Sequence, residues 1–84
     1  MSVKSVVEVL AQALADQPAD VHVVETEHTG TTLVELYVAQ GDAGKMIGRM
    51  GRTVAALRTL ASIAGEKEGK KTVTLEIRDT PFKG

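Results

Sequence analysis

An α+β fold in two layers, with three helices on one face of a three-stranded mixed sheet, is predicted by three observations. An amphipathic helical stretch opens the chain. Two alternating stretches follow, with a short turn between them. A second helical region, interrupted at Gly48–Gly51, leads to one last alternating stretch. The order is α-β-β-α-α-β, and elements of this kind pack as a helical layer over a sheet around one core. No internal repeat or low-complexity segment marks a second unit, so residues 1–84 are read as one domain.

Each element has its own justification. Val3, Val6, Val7, Leu10 and Leu14 follow the spacing of one helix face over residues 3–15. Ser5 and Glu8 have the spacing of a capping box, which places the helix start slightly later. Pro18 and Asp20 mark the turn that follows. Residues 21–28, VHVVETEH, are strand-like, as are residues 32–39. In the second of these, Val34, Leu36 and Val38 alternate with Leu33, Glu35, Tyr37 and Ala39. Thr29-Gly30-Thr31 joins the two as a β-hairpin. The sheet face away from the helices is expected to carry Leu33, Tyr37, Val24 and Val21, an apolar surface suited to a dimer.

Residues 42–47 read as a short helix with Asp42 as its N-cap. Gly48 to Gly51 breaks it, and residues 52–64 resume helix with Val54, Leu57, Leu60, Ala61 and Ala64 as the buried stripe. Gly65 to Lys71 reads as a polar loop. Val73, Leu75 and Ile77 alternate with Thr74 and Glu76 in the last strand, and a flexible tail is expected from about residue 80.

Composition narrows the function. A chain of 84 residues buries only about 60–65% of its unfolded surface, so its stability margin is thin and association would help. It has no cysteine, which removes disulfides, thiolate chemistry and cysteine zinc sites and fits a cytoplasmic location. No apolar run approaches the roughly 20 residues needed to span a bilayer, so membrane insertion is not expected. The amino-terminal stretch is interrupted by Lys4, Glu8, Gln12 and Asp16 and reads as a helix rather than a signal peptide. Net charge is −1, yet residues 41–71 hold seven basic and three acidic residues, and the remainder holds three basic and eight acidic. Such asymmetry points to one anion-facing surface on an otherwise repelling body.

Metal and catalytic readings find little support. His22 and His28 would lie on one face of a strand but about 20 Å apart, too far for one metal. The serines lack a nucleophile context, and no paired carboxylates suggest a cleft. No cofactor is expected. The glycines at 41, 44, 48 and 51 match neither the dinucleotide fingerprint nor the nucleotide P-loop. Tyr37 and Phe82 are the only aromatics, too few for a protein that relies on stacking platforms.

What remains is Gly48-Arg49-Met50-Gly51 between two helices, with Lys45 before it and Arg52 after it. Glycine permits positive φ and close backbone approach. A helix beginning near Arg52 directs free N–H groups and partial positive charge outward. Arg49 and Arg52 add charge-assisted contacts to a phosphodiester seated there. Arg58, six residues past Arg52, reads as a solvated side chain.

The stretch GDAGKMIGRMGRTVAALRTL resembles the core of a KH domain, whose GxxG loop clamps about four backbone nucleotides. The element order resembles the bacterial type II variant, and the short length and closing TVTLEIRD strand resemble its small single-domain members. The resemblance implies that Gly48 and Gly51 form the turn and that Arg49 and Met50 are its variable pair. It implies that Lys45, Arg52 and Thr53 flank the turn, and that Ile47 and Val54 help floor the groove where bases lie. Ile47 and Val54 suit the core equally well. Many loops of the family that the chain resembles carry a lysine or two basic residues in the variable pair, where this sequence has one arginine and a methionine. The Gly65–Lys71 segment resembles the family's variable loop.

The resemblance implies single-stranded RNA as the partner and a role as RNA chaperone or post-transcriptional regulator. It also implies a homodimer, or a heterodimer with a larger KH protein of the Jag/KhpB type, linked in some bacteria to cell elongation and envelope homeostasis. The alternative class is an interaction module with incidental RNA contact, which Met50 and the net negative charge favour.

Overall fold

The computed structural model describes residues 2–83. Helix α1 spans Val3–Leu14, strands β1 and β2 span His22–His28 and Thr31–Tyr37, helices α2 and α3 span Ala43–Ile47 and Arg52–Lys67, and strand β3 spans Thr72–Arg78. Short 3-10 turns occupy Pro18–Asp20, Gln40–Asp42 and Arg49–Gly51. The order is the expected α-β-β-α-α-β. The sheet is mixed, with β2 in the centre: β1 pairs antiparallel to it, His22 opposite Tyr37, and β3 pairs parallel to it, Thr31 opposite Thr72.

Helix α1 starts one turn ahead of the anticipated capping box. Ser2 is the N-cap, its hydroxyl accepting the Ser5 N–H at 3.1 Å. Ser5 therefore lies inside the helix, where its hydroxyl accepts a bond from Ser2 Oγ. The Val3 N–H, one of the orphan donors of the first turn, is taken by Glu68 Oε1 at 2.6 Å, which ties the start of α1 to the end of α3. Val3, Val7 and Ala11 are buried, flanked by Val6 and Leu10. Leu14, expected on this stripe, is the last helical residue and stands half-exposed where α1 ends.

The turn between β1 and β2 is the two-residue Thr29-Gly30, with φ of 47° and 84°. Two positive φ values in succession match the twist of the flanking strands. In β2, Thr32, Val34 and Leu36 face the helices and are buried, while Leu33, Glu35 and Tyr37 turn to the other side. Val21 does not join that outer face as expected. It is buried together with Val23, because strand alternation sets both opposite to Val24.

The outer face is less apolar than anticipated. Arg78 reaches Glu35 at 3.1 Å and Glu76 at 2.6 Å across it. Phe82 folds back onto its edge, stacked on His22 with ring centroids 4.6 Å apart and edge-on to Tyr37 at 5.3 Å.

Helix α3 runs three residues past the expected end, through Gly65 to Lys67. Gly65 is buried, and a Cβ there would lie 2.5 Å from Val73 Cγ2. The glycine is an approach site for β3, not a helix breaker. The true stop is Gly69, at φ 78°. The Lys70 N–H bonds to Gly65 O at 2.8 Å and the Gly69 N–H to Glu66 O at 3.1 Å, a Schellman ending. Leu60, expected in the buried stripe, is 42% exposed, whereas Val54, Leu57, Ala61 and Ala64 are buried. One turn along α3, Ile63 is exposed as well.

Candidate nucleic-acid interface

Helix α2 delivers the chain to the turn with its last hydrogen bond intact, Gly48 N–H to Gly44 O at 2.9 Å. At Gly48 the backbone then swings to φ 76°, ψ 171°. A Cβ at this position would sit 2.7 Å from Thr53 Cβ and 2.8 Å from Thr53 N, so both space and conformation demand glycine. The Gly51 N–H closes the turn on Gly48 O at 3.1 Å.

Met50 and Gly51 both adopt left-handed conformations, at φ 56°, ψ 27° and φ 73°, ψ 15°. For Met50 this strains the backbone by about 1–2 kcal/mol. Its side chain is 88% exposed, so no burial of its own offsets that strain. A Cβ at Gly51 would meet nothing within 4 Å, so conformation alone selects that glycine.

Helix α3 begins directly at Arg52 with no side-chain cap. The Arg52 N–H is taken by Arg49 O, and the positive dipole end faces the turn without a competing side-chain acceptor. Arg49 and Arg52 are exposed on either side, and among the described residues neither joins an ion pair. Thr53 is partly covered by its packing against Gly48. Ile47 is 46% exposed, while Val54 is buried, so of the two anticipated floor residues only Ile47 offers surface.

Lys45 is differently placed. Its ammonium pairs with Asp16 at 2.6 Å, and that hydrogen bond holds its pKa above the ordinary lysine value. Asp42 occupies the N-cap position of α2, but its side chain makes no cap. It is buried, and its two carboxylate oxygens accept the backbone N–H groups of Asp16 at 3.1 Å and Gln17 at 3.0 Å. An aspartate ahead of a helix signals a local cap, and nothing in the sequence signals this longer reach. Asp16 likewise reads in the sequence only as one of the polar interruptions of the amino-terminal stretch.

Arg58 is exposed, and its Nε donates to Leu75 O at 3.4 Å along the outer edge of β3. In the loop after α3, Lys70 is engaged by Glu27 and, at 3.5 Å, by Glu25, while Lys71 stays exposed. Among the described residues, no group of three or more His, Asp or Glu side chains gathers to hold a metal ion. No helix among them is long and apolar enough to cross a membrane.

Three helices on one side of a mixed sheet, with a glycine-bounded turn joining the second helix to the third, define a KH domain. The family model for the KhpA/KhpB KH domain matches residues 4–77, and the chain belongs to that family. It is 44% identical over 70 residues to the RNA-binding protein KhpA of Clostridium perfringens, covering 83% of this chain and 93% of that one. It is 43% identical over 70 residues to the RNA-binding protein KhpA of Chlamydia trachomatis, covering 83% and 88%. Against the RNA-binding protein KhpA of Aquifex aeolicus it is 42% identical over 76 residues, covering 90% and 95%. No solved structure matches the chain significantly.

Proposed function

We propose that this protein binds single-stranded RNA through the Gly48–Gly51 turn, without catalysing a reaction. The observation that carries the reading is the turn itself. Its backbone is held by Gly48 against Thr53, its two variable side chains are exposed, and it opens onto an uncapped helix start flanked by Arg49 and Arg52. A phosphate at this position meets the positive end of the helix dipole and two guanidinium groups that join no ion pair among the described residues. Ile47 offers an apolar surface beside it for an unstacked base. The RNA-binding relatives support the same reading.

Affinity through one such module is modest and low in sequence selectivity. If about three phosphates are neutralised, log K falls against log salt with a slope near −2. We extend the reading to a role as RNA chaperone or post-transcriptional regulator in the cytoplasm, of the kind linked in some bacteria to cell elongation and envelope homeostasis. Leu60 and Ile63, exposed one turn apart on α3, supply apolar surface for pairing, either with a second copy or with a larger KhpB/Jag-type KH protein. The same two residues favour the second reading, a protein-interaction module whose RNA contact is incidental.

Fluorescence anisotropy with a short mixed-sequence single-stranded RNA separates the two. Salt-sensitive binding by the wild type, lost in a folded Arg49→Asp/Met50→Asp variant, supports the turn as the RNA site. Equal binding by both proteins removes the turn from the mechanism.

A further inference from the structure

We propose that Asp16 is an internal competitor for phosphate: it holds the Lys45 ammonium in an ion pair that RNA must displace, and so sets the affinity of the Gly48–Gly51 site. The inference rests on the reading of that turn as the RNA site.

Lys45 lies in the last turn of α2, three residues before Gly48. Of the basic residues bordering the turn it is the one already neutralised, since Arg49 and Arg52 have no ion pair among the described residues. Its partner is held there by the fold. Helix α1 ends with the Ala15 N–H on Ala11 O, and the next two N–H groups go to Asp42. Asp42 is 2% exposed and stands immediately before α2. The backbone at Asp16 is thereby fixed to the start of α2, and its carboxylate meets an ammonium three residues further along that helix.

Two carboxylates act on Lys45, Asp16 through a direct bond and Asp42 through its field. A phosphate approaching the turn therefore meets a neutralised lysine and a nearby negative charge. The Asp16 and Lys45 side chains are 68% and 49% exposed. A pair so exposed is weak and open to exchange, and a phosphodiester can replace the aspartate without breaking the fold. The buried Asp42 positions the device, and Asp16, the carboxylate in direct contact with Lys45, is the one that phosphate displaces.

The test measures binding of a short mixed-sequence single-stranded RNA at two salt concentrations. The proteins are wild type, Asp16→Asn, Lys45→Gln and the double variant, with circular dichroism confirming each fold. Asp16→Asn is expected to bind about two- to fivefold more tightly. If the freed Lys45 neutralises one more phosphate, the salt slope steepens by about 0.7. Lys45→Gln is expected to weaken binding more in the Asp16→Asn background than in the wild type. Unchanged affinity in Asp16→Asn, or a gain that survives in the double variant, overturns the proposal. The Arg49→Asp/Met50→Asp variant separates the two levels. If it loses binding while Asp16→Asn gains nothing, the competitor is refuted and the site stands. If it binds like the wild type, the site itself falls, and the competitor with it.

Discussion

Gly48 packs directly against Thr53, leaving no room for even one carbon atom between the last turn of α2 and the first of α3. Gly48→Ala must therefore both displace Thr53 and hold a side chain at φ 76°. We expect it to destabilise the protein by about 2–4 kcal/mol, combining overpacking with backbone strain. Gly51→Ala meets no neighbour and incurs only left-handed strain, about 1–2 kcal/mol. Urea denaturation of the two variants checks the ranking.

Gly65→Ala is expected to destabilise by about 1–2 kcal/mol, although alanine is the better helix former by about 1 kcal/mol. The new methyl would lie 2.5 Å from Val73 Cγ2. Adding Val73→Ala removes that atom, so the double variant should be less unstable than the sum of the two single changes. A double-mutant cycle from thermal melts measures the coupling.

Lys70 links the loop after α3 to β1. The hydrogen bond to Glu27, with Glu25 adding its charge, holds its pKa above the ordinary 10.5. The folded pKa thus exceeds the unfolded one. Its stabilisation is complete below the unfolded value and is lost as pH rises through the folded value. Lys70→Met should lower Tm at neutral pH, and the gap to the wild type should narrow above pH 10.5. Melting curves of both proteins from neutral to alkaline pH test this.

Phe82 covers His22 and touches the edge of Tyr37. Tyr37 is the only tyrosine and there is no tryptophan, so the tyrosine signal reports the surroundings of this one ring. Phe82→Ala should change the near-ultraviolet circular dichroism and fluorescence of Tyr37 while leaving the far-ultraviolet spectrum intact. An unchanged tyrosine signal would detach the tail from the sheet.

Much of this arrangement was legible in the sequence because local pattern and tertiary role agree. The alternation of Val34, Leu36 and Val38 places them in the core, and all three are buried. The Gly48–Gly51 break is legible because its glycines lie between two helical patterns and among Lys45, Arg49 and Arg52. Legibility failed where a residue serves a distant partner. Gly65 looks like a helix stop, yet it exists for Val73. Asp42 looks like a cap, yet it serves the backbone at Asp16 and Gln17. Glu68 looks like loop charge, yet it accepts the Val3 N–H across the fold. In each case the local signal is the ordinary one for that residue type, and only the packing of α1, α3 and β3 reassigns it.

We propose that RNA is held at the turn between α2 and α3. The most direct test is a titration of the isotope-labelled protein with short single-stranded RNA, followed by amide chemical shifts. The largest shifts are expected at the amides of Gly48 through Val54, with Lys45 and Asp16 responding together and the β1–β2 outer face at Val24 and Leu33 silent. Shifts centred on that outer face or on Leu60 and Ile63, with Gly48–Gly51 unmoved, would contradict it.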